Sequence, residues 1–278
     1  MKKVVVFAFL AVMLFCGCRS VVSEDSFTLA TFNIRCPVDK TPHSWQERLP
    51  RCIAVIEKNK FDIFGVQEAY LQQIYDLLGD KFSYIGKGRT DFKNKGEFSA
   101  IIFRKSRFKL LKGGTFGLSE QPDVPGLRSW GSACPRIATW GLFEDMKTGK
   151  TFIYYNTHLD HVSELARING IKLLVKHAGE NAKGKPLVIS GDFNARTTSE
   201  TYKTAAGLLK DSALISHISH TGPQQTYNGY GKSKNFTPID FIFVSEDFDV
   251  LTHHTDDTKF PEGFPSDHYP VITKLMLK

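Results

Sequence analysis

Cysteine is scarce, with five in 278 residues, and two of those, Cys16 and Cys18, fall near the N-terminus. The other three, Cys36, Cys52 and Cys134, cannot all pair, and no C-x-x-C or Cys/His zinc spacing is present. That excludes a disulfide scaffold and a structural zinc module. Cys52 lies among apolar residues on an expected helix and Cys134 precedes Pro135, so these thiols read as small core hydrophobes. No linker-like run of Pro, Gly or Ser and no readable repeat divides residues 27–278, which argues for one domain. A hydrophobic content of 41% with 23% charged residues excludes a disordered chain, a collagen and a many-span membrane protein.

The N-terminus stands apart from this pattern. Basic Met1-Lys2-Lys3 precedes 12 apolar residues, Val4 to Phe15, too few to span a bilayer as a helix. Phe15-Cys16-Gly17-Cys18 follows, and a small residue before a cysteine at this place resembles a bacterial lipobox. Residues 1–17 are therefore expected to be a lipoprotein signal peptide, Cys18 the lipidated residue and residues 18–26 a polar tether. The expected product is exported and anchored by lipid to a bacterial membrane, on the periplasmic or surface side, and is monomeric. Cleavage removes Lys2 and Lys3 and lowers the formal charge from +7 to +5, too mild to require a nucleic-acid partner.

Strand-like runs mixing β-branched and aromatic residues recur at Phe27–Ile34, Asp62–Val66, Phe98–Phe103, Ile137–Phe143, Thr151–Thr157, Pro186–Ser190, Ile239–Val244, Asp249–Thr252 and Val271–Leu277. Helical spacing marks Trp45–Lys58, Glu68–Leu78, Val162–Ala178 and Ser199–Leu209. Pro50 is tolerable in the first of these only near its first turn. The runs at 137–143 and 151–157 join through a short turn and so pair antiparallel. Helices and antiparallel strands within one long domain imply an α+β fold of packed sheets with helices outside.

Polar residues cluster at the strand ends: Thr31-Phe32-Asn33-Ile34-Arg35, Gly65-Val66-Gln67-Glu68, Asn156-Thr157-His158-Leu159-Asp160-His161, Ser190-Gly191-Asp192-Phe193-Asn194, Pro238-Ile239-Asp240 and Ser266-Asp267-His268. In this order the set resembles the endonuclease/exonuclease/phosphatase family, over residues 27–278. The resemblance implies a four-layer α/β/β/α sandwich, two mixed, mainly antiparallel sheets face to face with outer helices. It also implies a metal-dependent phosphoesterase that cleaves a phosphodiester by in-line attack of water, in the manner of a nuclease. Carboxylates converging at one sheet edge repel unless a cation neutralises them, and hard oxygen ligands suit Mg²⁺ or Mn²⁺.

Carried over residue by residue, Glu68 resembles the principal metal ligand, with Asn33 and Asp267 beside the ion. Asp192 and Asn194 match the pair that positions the attacking water, and His158 the histidine that bonds the scissile phosphate. Asp240 resembles the carboxylate that orients a histidine, here His268, which would be general base or cationic clamp. Whether His268 or Asp192 takes the proton stays open. Arg35, Arg136 and His161 are candidates for phosphate contact. Arg136 could equally form a buried ion pair, and Asp160 could either touch substrate or cap the helix near Val162.

The remaining features carry less. Gly86–Glu97 is basic and reads as a solvated loop that could track a phosphate backbone. Gly231-Lys232-Ser233 lacks the first glycine of a phosphate-binding loop. His253-His254-Thr255-Asp256-Asp257 reads as an exposed loop. Alternative substrates are a phospholipid such as sphingomyelin, for which Gly263-Phe264-Pro265 is a small apolar candidate, and an inositol polyphosphate. A catalytically inactive binding lipoprotein is disfavoured by the intact polar set.

Overall fold

The runs rich in β-branched and aromatic residues become strands, and the 3.6-residue patterns between them become helices. The computed structural model describes residues 24–278; the expected signal peptide and Cys18 lie outside the described residues. In chain order the elements are β1 (Phe27–Asn33), α1 (Trp45–Lys58), β2 (Ile63–Gln67), α2 (Leu71–Leu78), β3 (Phe82–Ile85), β4 (Ile101–Arg104), β5 (Phe108–Gly117), β6 (Ile137–Asp145), β7 (Thr151–His158), α3 (Glu164–Ala182), β8 (Leu187–Asp192), α4 (Glu200–Leu208), β9 (Lys210–Asp211), α5 (Ser212–Ile215), β10 (Asp240–Val244), β11 (Phe248–Thr255) and β12 (Val271–Leu277).

The strands form two six-stranded sheets, β11-β12-β1-β2-β4-β3 and β5-β6-β7-β8-β10-β9. Each holds one parallel pair, β1 with β2 or β7 with β8, among antiparallel neighbours. Phe27, Leu29, Ile63 and Phe103 of the first sheet meet Phe152, Tyr154, Val188 and Ile242 of the second in a buried layer between them. On the outer face of the first sheet, Cys52, Val55 and Ile56 of α1 and Ile74 of α2 cover Phe32, Phe64 and Val66. On the other, Ile171 and Leu174 of α3 and Tyr202 and Ala205 of α4 cover Tyr155, Ile189 and Phe241. The result is the expected four-layer sandwich. Each methylene buried in these layers contributes ~0.8 kcal/mol, so the apolar faces hold the sheets together.

Several local expectations change. Pro50 sits inside α1, beyond the first turn, on an exposed position where water can take the freed carbonyl. β3, β5 and β9 were not legible as strands. β5 reads Lys-Leu-Leu-Lys-Gly-Gly without alternation, and its pairing with β6 shifts register between Leu110 and Lys112. His253 and His254 belong to β11 rather than an exposed loop, and His253 is buried. Phe264 is also buried, against Tyr269, so Gly263–Pro265 presents no apolar tip to lipid.

Candidate active site

The sheet register assembles the polar residues. Asp192, at the end of β8, lies opposite His158 on the parallel neighbour β7 and opposite Asp240 on the antiparallel neighbour β10. Three functional groups thus share one edge because their strands start or stop there. Gly191 makes this approach feasible: it adopts a φ of +152°, and a Cβ there would run into the Thr157 carbonyl of β7. Between the sheets, Asn156 Nδ2 donates to the carbonyls of Val66 and Ala100, and Gln67 Nε2 donates to Asn156 Oδ1 at 2.7 Å. These two amides brace the two sheets behind the site.

The facing groups form one network. Asn33 Nδ2 donates to Glu68 Oε1 at 3.1 Å and to Asp192 Oδ2 at 3.0 Å. The Cys36 backbone N–H donates to Glu68 Oε2 at 3.1 Å. His268 Nδ1 meets Asp240 Oδ2 at 2.9 Å, and its Nε2 lies 3.7 Å from Asp192 Oδ2. His158 Nε2 is 3.1 Å from Asn194 Nδ2 and 3.5 Å from Asp192 Oδ2. Arg35 reaches Asp39 at 3.0 Å, Glu68 at 3.6 Å and Asp267 at 3.8 Å. Arg35, Glu68 and Asn194 all hold positive φ values, a backbone strain concentrated at this edge. Arg48, fully buried on α1, helps to hold the loops together: its guanidinium donates to the carbonyls of Ile34, Arg35, Cys36, His43 and Pro265.

Burial and charge crowding pull these groups in different directions. Burial, then Asp240, pushes Asp192 up to about 7. Burial also raises Asp267. Burial alone would lower His268, but Asp240 and Asp192 outweigh it and raise the imidazole to about 10. His158 is held well below its ordinary value by burial and by Arg136 and Arg89. Burial would raise Glu68, yet the Cys36 N–H and His268 keep it below the usual carboxylate range.

A cavity of about 390 Å³ opens over this network, lined among others by Arg35, Glu68, Asn194, Asp267 and His268. Its carboxylates fit a hard divalent cation, since burial raises the cost of their mutual repulsion. Two donor sets compete for that role. Asp192, Asp240 and His268 bring one ligand atom each within 4.8 Å of one another. In that set Asp240 Oδ2 pairs with His268 Nδ1. In the other set Glu68 accepts from Asn33 Nδ2 and the Cys36 N–H, Asn33 Oδ1 accepts from the Arg35 N–H, and Arg35 lies 3.6 Å from Glu68 and 3.8 Å from Asp267, so both sets offer hard oxygens that are already partly engaged.

Arg136 lines the cavity too, with Nε on Asp160 at 3.4 Å and Nη2 on His161 at 2.9 Å. Its buried Nη1 has no hydrogen-bond partner among the described residues. Arg136 therefore forms the expected buried ion pair and also lines the cavity. Asp160 does not line the cavity and is 1% exposed. Its Oδ1 accepts from the N–H groups of Val162 and Ser163, and its Oδ2 from those of Ala133 and Cys134 as well as Arg136. The expectation of substrate contact is thereby corrected: every lone-pair direction of this carboxylate is turned inward. The cap of α3 is Ser163, which accepts from the Ala166 N–H. Asp160 instead ties the approach to α3 to the 133–136 loop.

Asp160→Ala is expected to cost about 3–5 kcal/mol, because it leaves the Arg136 charge buried and unpaired. Urea unfolding checks this, and unchanged stability would show that the clamp is idle. The backbone N–H donors of Ser163, Ala133 and Val162 overcome burial and hold Asp160 down to about 2. That folded value lies below the unfolded one, so its contribution is complete above about pH 4 and fades as the pH falls through 2.

Other placements were missed. Cys52 is core, but Cys36 and Cys134 line the cavity. Arg89 and Glu97 line it as well, joined by two hydrogen bonds of 2.7 and 2.8 Å. The 86–97 segment is thus folded inward at both ends, and Asp91 fixes its turn by accepting from the N–H groups of Lys93 and Lys95.

The profile of the "Endonuclease/Exonuclease/phosphatase family" matches residues 30–268. An endonuclease/exonuclease/phosphatase from Bacteroides vulgatus is 35% identical, with a TM-score of 0.86 over 91% of this chain and 99% of the other. The mannosyl-6-phosphatase of Bacteroides thetaiotaomicron is 33% identical, with a TM-score of 0.85 over 90% of this chain and all of the other. Rat nocturnin is 26% identical over 266 residues, 85% of this chain; the chain spans 58% of that protein's length.

Proposed function

The chain belongs to the endonuclease/exonuclease/phosphatase family, and from that premise we propose that it is a divalent-metal-dependent hydrolase of a small phosphomonoester, of the sugar-phosphate class. The observation that carries the proposal is the cavity. Its volume of about 390 Å³ is at the small-molecule end of ligand sites, and three arginines, Arg35, Arg89 and Arg136, contribute to its wall. A phosphomonoester brings more charge than a diester and calls for that many donors. The 33% identity to a mannosyl-6-phosphatase supports the same class. The nuclease-like diester expected from the sequence is the second reading; in the basic 86–97 loop Arg89 turns inward onto Glu97, while Lys87, Lys93 and Lys95 stay exposed.

In this reading Glu68, Asp267 and Asn33 would hold Mg²⁺ or Mn²⁺, which would supply a Lewis acid for a phosphoryl oxygen. His268, cationic beside Asp240, bonds a second phosphoryl oxygen. His158 and Asn194, in contact at 3.1 Å beside Asp192, line the phosphate position and fix its orientation. Asp192, pushed up to about 7, accepts the proton of the attacking water, the bond from phosphorus to the leaving oxygen breaks, and that oxygen takes a proton from solvent to leave as the alcohol. The export and lipid anchoring expected from Cys18 belong to the same proposal.

The purified protein is expected to hydrolyse hexose 6-phosphates fastest in a panel that includes bis(p-nitrophenyl) phosphate, single- and double-stranded DNA, RNA, sphingomyelin and inositol phosphates. Chelation should abolish the rate, and Mg²⁺ or Mn²⁺ should restore it. Full activity in excess chelator would remove the metal from the mechanism, and a faster rate on DNA would return the diester reading.

A further inference from the structure

Behind the site, on the side away from the substrate cavity, Asp240 has a second neighbourhood. Its Oδ2 is taken by His268, but its Oδ1, in a residue only 2% exposed, has no hydrogen-bond partner among the described residues. A buried carboxylate oxygen left in this way is costly. Asp240 is absent from the wall of the substrate cavity. It lines a separate rear cavity of about 30 Å³ with Thr226, His253, His220 and Gln224. That is room enough for an ordered water.

The chemistry of the wall matches a water in number and sign. Thr226 Oγ1 accepts from the N–H groups of Ile239 and Asp240, so its own hydrogen is still to be donated. His220 Nε2 lies 3.2 Å from the Pro223 carbonyl, which can only accept, so Nε2 carries the hydrogen. With that hydrogen on Nε2, His220 presents Nδ1 as the acceptor. His253 Nδ1, 2.8 Å away, must supply the hydrogen of that contact. Neutral His253 is left with Nε2 as an unused acceptor. Burial and the two neighbouring histidines hold His253 down to about 3, which keeps it neutral. Thr226, Asp240 and His253 thus offer one donor and two acceptors, on a wall that also carries Asp211, Gln224 and Thr255.

We propose that the rear cavity is a site for one ordered water, which accepts from Thr226 Oγ1 and donates to Asp240 Oδ1 and His253 Nε2. Three hydrogen bonds are the usual complement of a buried water. The water fixes the Asp240 carboxylate from behind, and Asp240 fixes the His268 ring. Thr226 and His253 are then positioning residues for a histidine they do not touch. Their role rests on the proposed phosphoesterase function only through the rate measurements below.

A high-resolution crystal structure of the protein is expected to show a water within hydrogen-bond distance of all three groups, a result independent of any activity. His253→Phe keeps the ring and removes the acceptor, whereas Val271→Ile adds a methyl group to the cavity wall. Each should lower kcat about tenfold and leave KM within twofold, and His253→Gln, which restores an acceptor, should recover most of the rate. A purely structural role predicts the reverse for Val271→Ile: melting unchanged or raised and kcat unaltered. A dry cavity, or parental kcat in Val271→Ile, would overturn the proposal. Absence of hydrolysis by the parent would instead count against the proposed function and leave the water to be judged from the crystal structure.

Discussion

Asp192→Asn is expected to lower kcat about 10³-fold with little change in melting temperature. The substitution keeps the shape and the bond from the Asn194 N–H to Oδ1, and it removes the group that can take a proton. A positioned base is worth ~10²–10⁴ in rate. The pH profile carries the sharper test. Asp192 is raised to about 7 and must be deprotonated to act, so kcat/KM should climb with pH through that region. His268 is raised to about 10 and must stay protonated to clamp phosphate, so the rate should fall again at high pH. Asp192→Asn should abolish the rising limb. A variant within tenfold of the parent, with the limb intact, would assign the base elsewhere.

The strand ends carried most of what could be read in advance. Asn33, Glu68, His158, Asp192, Asn194, Asp240, Asp267 and His268 each stand at or beside a strand terminus, and a parallel or antiparallel register is enough to bring such termini together. Asp160 shows where that reasoning runs out. It stands in the same kind of motif, but its partners include the N–H groups of Ala133 and Cys134, and only the folded loop shows that these arrive. Arg89 and Glu97 were hidden for a related reason: a basic, glycine-rich segment looks solvated until its ends are seen to pair over a cavity. Phe264 and His253 failed differently. His253 reads as exposed from its polar neighbours, and contact with the distant His220 buries it; Phe264 reads as an apolar tip, and it packs against the nearby Tyr269 instead. What escaped the sequence was contact between distant segments, which residue types alone do not specify.

His268→Ala and Asp240→Asn test whether the histidine and its carboxylate work as one unit. The 2.9 Å contact between His268 Nδ1 and Asp240 Oδ2 fixes the ring so that Nε2 faces Asp192 Oδ2. Losing the imidazole should cost at least ~10² in kcat, the lower scale for a group acting directly on the reacting atoms. Asp240→Asn should cost less, because the ring survives and loses only its charge partner and its preferred tautomer. The sign of the charge effect follows from the structure: Asp240 and Asp192 keep the imidazole protonated against burial, so Asp240→Asn should lower the pH at which the rate falls on the alkaline side. If the pair is a unit, the double variant is little worse than His268→Ala, since an absent ring cannot be oriented. If Asp240 only opens β10 and His268 only fills a loop, the two losses add and appear in melting temperature rather than in kcat. Measuring kcat, its pH dependence and the melting temperature for the two single variants and the double variant separates these outcomes, and additive effects confined to stability would remove both residues from the reaction.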